Sequence, residues 1–111
     1  MRVTFTARHF QASDNLKKFA EDEVKRLKKY YDPILDVEVV LDFIKNKQQQ
    51  VAEIVVKVYG TKLAVDESSE DMYKSITLAV DKLERKLLKH KEKLRHFEKE
   101  RITENIKEIE I

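Results

Sequence analysis

The chain has 111 residues, with 23 Lys and Arg against 21 Asp and Glu, a net charge of +2, one Gly, one Pro and no Cys. That length fits a single domain with a modest core. The lack of cysteine excludes disulfide and thiolate chemistry, and the scarcity of Gly and Pro leaves little material for loop-built catalytic sites. No apolar run approaches the roughly 20 residues of a membrane helix, and the N-terminus carries no signal-peptide core, so a cytoplasmic protein with no membrane partner is expected.

Val3, Phe5 and Ala7 alternate with Arg2, Thr4 and Thr6, the pattern of a half-buried first strand. Ser13 or Asp14 can cap a helix whose apolar stripe is Leu16, Ala20, Val24, Leu27 and Tyr31, with Phe19 at its edge. Asp32-Pro33 ends that helix, because a residue before proline is biased out of helical geometry. A second strand places Val37, Val39, Leu41 and Phe43 on one face. The polar run Lys45 to Gln50 reads as a loop, and a third strand puts Ala52, Ile54, Val56 and Val58 on one face. Tyr59-Gly60-Thr61 turns the chain into a short fourth strand around Leu63 to Val65, as a hairpin.

Asp66 to Asp71 holds four acids and two serines, which suits a helix start with Ser68 as N-cap. The long second helix carries Tyr73, Ile76, Val80, Leu83, Leu87, His90, Leu94 and Phe97 at three- and four-residue spacing. The fold expected is therefore α+β, in the order β-α-β-β-β-α. A four-stranded, mostly antiparallel sheet would have two parallel helices packed on one face. Residues 1–96 form the domain. Residues 97–111 are an acidic tail with five Glu against three Lys and Arg and with Ile102, Ile106 and Ile109 at helical spacing.

The charge is unevenly placed. From Lys82 to His96 there are seven Lys and Arg against two Glu. At about 100° per residue, Lys82, Lys86, Lys89 and Lys93 form one stripe beside the apolar seam, with Arg85 and His96 close by and Asp81 and Glu84 on another side. Lysines at i,i+4 repel by a few tenths of a kcal/mol per pair. A row of three such neighbours is easier to understand if a polyanion neutralises it. In the first helix Lys18, Lys25, Lys28 and Lys29 flank the seam on the opposite rotational side, diluted by Glu21, Asp22 and Glu23. The two basic flanks either face each other across the groove between the helices or both face outward. Local positive excess in a near-neutral chain is the electrostatic footprint of nucleic-acid binding; a merely solvated face is the plainer alternative.

His90 falls on the seam, either as a half-buried spacer or as a phosphate or base contact. Tyr30 is the better stacking candidate of the Tyr30-Tyr31 pair, since Tyr31 lies on the seam; Tyr73 reads as packing. His9, His90 and His96 lack a metal-ligand spacing with carboxylates, and no phosphate loop, nucleophile elbow or zinc helix is present, so neither metal nor cofactor nor catalysis is expected.

Asp71-Met72-Tyr73-Lys74-Ser75-Ile76, with Asp81-Lys82-Leu83-Glu84-Arg85-Lys86-Leu87 and Lys89-His90-Lys91-Glu92-Lys93, resembles the signature of the ribosome hibernation promoting factor and ribosome-associated translation inhibitor family. Thr6-Ala7-Arg8-His9-Phe10 and Leu27-Lys28-Lys29-Tyr30-Tyr31-Asp32 extend the resemblance over about residues 2 to 95. It implies a fold similar to double-stranded-RNA-binding domains. It also implies binding to small-subunit rRNA phosphates between head and body of the small ribosomal subunit, over the tRNA and mRNA sites, which holds ribosomes inactive under stress or in stationary phase. By motif match the RNA contacts are Lys82, Arg85, Lys86, Lys89, Lys91 and Lys93, with Lys25, Lys28 and Lys29 on the first helix, and His90 and Tyr30 as further candidates. Long-form members carry a separate C-terminal dimerisation domain; this chain resembles the short form, for which a monomer in solution is expected. Two other readings stand beside this one: a generic double-stranded nucleic-acid binder, and a protein-interaction module for an acidic partner.

Overall fold

The computed structural model describes the backbone of residues 1–110 and the side chains of residues 1–94. Its elements are β1 (Arg2–Arg8), α1 (Asp14–Lys25) with a 3-10 turn at Arg26–Lys29, β2 (Ile34–Ile44), β3 (Gln49–Val58), β4 (Thr61–Ser69) and α2 (Met72–Glu110). The strands lie in the order β1-β2-β3-β4. β1 pairs parallel to β2, and the remaining pairs are antiparallel. That mixed sheet makes the two helices run in the same sense, as the strand order requires.

Alternation decides which face is covered. Val37, Val39 and Leu41 of β2 and Ala52, Ile54, Val56 and Val58 of β3 are buried, the side chain repeating every second residue. Over them lie Leu16, Ala20 and Val24 of α1, Leu27 of the 3-10 turn, and Met72, Ile76, Ala79, Val80, Leu83 and Leu87 of α2, all in one cluster. Fully burying a Leu or Ile contributes about 1.5–3 kcal/mol, so this seam holds α2 to the sheet. Ser13 caps α1, its Oγ accepting from the Leu16 amide at 3.1 Å. α1 gives way at Arg26 to 3-10 geometry before Asp32-Pro33.

Several sequence expectations are corrected. The loop read at Lys45 to Gln50 is shorter by two residues: a 3-10 turn at Lys45–Lys47 and a left-handed Gln48 (φ 49°) return the chain into β3 at Gln49. β4 is not short, and Ser68 is not an N-cap. Ser68 pairs with Val51 and Glu67 with Ala52, because β3 offers a full antiparallel partner and the ladder outcompetes the helix propensity of the acidic run. The cap moves to Asp71, whose Oδ1 accepts from the Tyr73 amide at 3.0 Å. Finally, the seam of α2 begins at Met72, and Tyr73 is 43% exposed. Leu94 is also exposed, since α2 has by then outrun the sheet. Phe97, His96 and the Ile102, Ile106, Ile109 stripe lie outside the described side chains.

Candidate nucleic-acid interface

The position of the cationic stripe follows from the register of α2 on the sheet. β4 is an edge strand, and α2 runs back along it. Lys82 Nζ lies 3.4 Å from Glu67 Oε1 of β4. One turn on, Lys86 Nζ donates to the Ala64 carbonyl oxygen of the same strand at 2.8 Å. The stripe therefore overhangs the β4 edge and faces away from α1. Of the two arrangements open to the sequence, the outward one is adopted for α2.

The groove between the helices is filled by other groups. Phe19 meets Tyr73 edge-on with centroids 4.9 Å apart, and Tyr31 meets His90 in the same manner at 5.4 Å. The Glu84 carboxylate, set against the Tyr30 hydroxyl as a hydrogen-bond acceptor, raises the phenol pKa, because it stabilises the protonated form. Arg26 is bound to Glu23 at 3.1 Å, and that carboxylate raises the guanidinium pKa further. Tyr30 is half-buried, with the Glu84 carboxylate of α2 beside its hydroxyl. Lys25, Lys28 and Lys29 are exposed. The tighter 3-10 winding from Arg26 onward rotates Lys28 and Lys29 away from the positions that an α-helix would give them.

His90 is half-buried against Tyr31, and its Nε2 has no hydrogen-bond partner among the described residues. Lys82 is corrected too, since its acidic partner comes from β4 and was invisible on the helical wheel. Such a partly exposed pair contributes little to stability and leaves Lys82 available for exchange onto another anion. The acceptor of Lys86 is a backbone carbonyl and not an acid. Among the described residues no acid lies within ion-pair distance of Arg85, Lys86, Lys89, Lys91 or Lys93, and all five are exposed.

The signature around Ser75 has a different job. Ser75 is fully buried. Its Oγ donates to the Gln50 carbonyl at 2.7 Å and lies 2.7 Å from Ser69 Oγ, tying the first turn of α2 to the start of β3 and the end of β4. No local sequence signal marks that link, because its partners sit 25 and 6 residues away. At the same end of the sheet His9, in a left-handed conformation (φ 64°), reaches Asp42 at 2.7 Å and holds its carboxyl below the usual range.

A family model described as "Sigma 54 modulation protein / S30EA ribosomal protein" matches residues 3–95. The ribosome hibernation promoting factor of Azotobacter vinelandii is 36% identical over 93 residues, covering 84% of this chain and 85% of the relative. That of Escherichia coli K12 is 30% identical over 95 residues, covering 86% and 98%. Against the Bacillus subtilis ribosome hibernation promotion factor, 32% identical, this chain spans 50% of the relative's length. Among solved structures, the N-terminal domain of Thermus thermophilus Protein Y superposes with a TM-score of 0.74 at 30% identity, covering 81% of this chain and 99% of that one. A ribosomal subunit interface protein from Coxiella burnetii superposes with a TM-score of 0.76 at 26% identity, covering 82% and 98%. The extent of the family match, over the whole sheet, both helix seams and the cationic stretch to residue 95, makes this chain a member of the S30EA ribosomal protein family.

Proposed function

We propose that this protein is a ribosome hibernation factor, acting by binding and not by catalysis, whose outward lysine ridge docks on rRNA phosphates of the small ribosomal subunit. The bound domain occludes the tRNA and mRNA sites by its volume and keeps the ribosome idle. The relatives named as hibernation promoting factors support the role. The observation that carries the docking mode is the row Lys86, Lys89, Lys93, exposed beyond the β4 edge with no acidic partner among the described residues.

The physics suits a folded RNA target. A-form helices hide their base edges in a deep groove, so affinity comes from backbone charge and shape. Each lysine that meets a phosphate releases a counterion, and log K then falls linearly with log salt. Glu84, on the α1 side of the helix, is turned away from this surface and does not neutralise it.

The deciding experiment is sedimentation with purified small subunits, with and without competing initiator tRNA, for the wild type and the Lys86→Glu/Lys89→Glu variant. Salt-sensitive co-sedimentation that is relieved by tRNA and lost in the variant is expected. Pelleting of the variant at wild-type levels would overturn the docking mode. Equal affinity for free RNA duplex at matched salt would instead identify a generic duplex binder.

A further inference from the structure

The sheet face opposite the helices carries a second constellation, at the end where the β3–β4 hairpin closes. By strand alternation Arg2, Asp36, Lys57 and Lys62 point to this face, and the register sets them in one row across all four strands. Arg2 pairs with Asp36, Asp36 with Lys57, and Lys57 with Lys62. The single acid lies between two of the three cations. Lys57 and Lys62 are therefore direct cross-strand neighbours of like charge, an arrangement that destabilises a sheet. With Thr4, Glu38 and Val55 these residues line an open depression of about 420 Å³. Just past Lys57, Tyr59 stands at the hairpin tip with 87% of its surface exposed. The turn asks for Gly60, at φ +87°, and asks nothing of Tyr59.

The ridge of α2 arrives at the same end. Lys86 sits level with Ala64. From there Lys89 and Lys93 advance about 4.5 and 10.5 Å along the helix, while Lys62 and Thr61 lie about 6.6 and 10 Å along the strand. Along the strand direction, the exposed ring, the helix cations and the cations of the open face thus reach the same end of the sheet.

We propose that Tyr59, Lys57 and Lys62 form a second RNA-contact site, which takes an unpaired nucleotide with its base stacked on Tyr59 and its phosphate between the two lysines. Every base offers a π-face, and stacking on an aromatic ring is worth about 1–3 kcal/mol per base. The phosphate relieves the Lys57–Lys62 repulsion. The carboxylates of Asp36 and Glu38 supply acceptors for the amino groups of an unpaired base, which a pure polyanion site would not need. This site deepens the proposed ribosome-docking function and rests on it: the helix ridge holds structured rRNA by its backbone, and the hairpin engages an adjoining single-stranded segment.

The test uses the full chain, pentaadenylate RNA and, as a charge control, inorganic polyphosphate of matched charge. NMR titration of the wild type with pentaadenylate should shift the Lys57, Tyr59 and Lys62 amides. The stacking energy above predicts that Tyr59→Ala weakens pentaadenylate binding at least five-fold, with Tyr59→Phe within two-fold of wild type and polyphosphate binding unchanged. The exposed position of Tyr59 keeps these variants folded, and their melting temperatures check it. Lys86→Glu/Lys89→Glu must retain the shifts at Tyr59 even where subunit pelleting is lost, which separates this site from the ridge. Absent shifts at the hairpin, or identical pentaadenylate affinity for wild type and Tyr59→Ala, would overturn the proposal.

Discussion

The two flanks of α2 share one helix and one seam but have opposite chemistry. On the α1 side, Tyr73 meets Phe19, Glu84 meets Tyr30, and His90 meets Tyr31, so this flank is turned onto the first helix and its 3-10 end. On the β4 side, Lys82 borrows Glu67 from the sheet, Lys86 leans on a carbonyl, and Lys89 and Lys93 extend past the edge. Polar groups turned inward build the helix pair; the lysines turned outward are exposed, with few acidic partners among the described residues. Counting lysines does not separate the two, because both flanks read as polar on the wheel.

That contrast can be broken from either side. The largest effect is expected from Lys86→Glu/Lys89→Glu. Small-subunit affinity should fall at least about 100-fold, and the salt slope should flatten by about two units, as expected for two lost phosphate contacts. Urea unfolding should show stability within about 1 kcal/mol of wild type, since only surface contacts change.

Next comes the anchor beneath both flanks. Ser75→Ala removes a hydrogen bond from the part-buried Gln50 carbonyl contact, while the Ser69 hydroxyl keeps its bonds to Asp71, and should cost about 1–3 kcal/mol in urea unfolding. Subunit affinity of the folded fraction should be unaltered. A large loss of affinity with unchanged stability would move Ser75 from the scaffold to the binding surface.

On the α1 side, Tyr30→Phe removes the hydroxyl that faces Glu84. Affinity should stay within about two-fold by sedimentation, and stability should fall by no more than about 1 kcal/mol. A strong loss of affinity would return Tyr30 to the interface.

The smallest effect lies at the far end of the sheet. Asp42 has a depressed pKa because the His9 ring hydrogen-bonds its carboxylate. Its contribution is therefore fully present above the ordinary Asp range and is lost as pH falls through the lowered value. Asp42→Asn should remove that part of the acid sensitivity in a melting-temperature series from pH 7 to pH 3 and leave subunit binding at neutral pH intact.

Periodicity made the core legible. Leu16, Ala20, Val24 and Leu27 on the first helix, and Ile54, Val56 and Val58 on the third strand, are buried as their spacing requires. The parallel β1–β2 pairing and the same-sense helices also followed from element order. The Asp66–Asp71 segment was not legible. Its acids and serines favour a helix start locally, yet β3 lies open alongside and captures it as far as Ser69. Tyr30 shows a related limit: a residue at a helix end looks exposed until the neighbouring helix brings Glu84 against it.

The candidate site divides along the same line. The lysines and their spacing are written in the chain, because an α-helix converts three- and four-residue intervals into a stripe whatever surrounds it. Which way the stripe faces, and which of its charges find acids, depended on β4 being the edge strand beneath it. Glu67 and the Ala64 carbonyl stand 15 and 22 positions before the lysines they meet. Contacts of that range are set by how α2 settles its apolar seam on the sheet, and no local pattern encodes them.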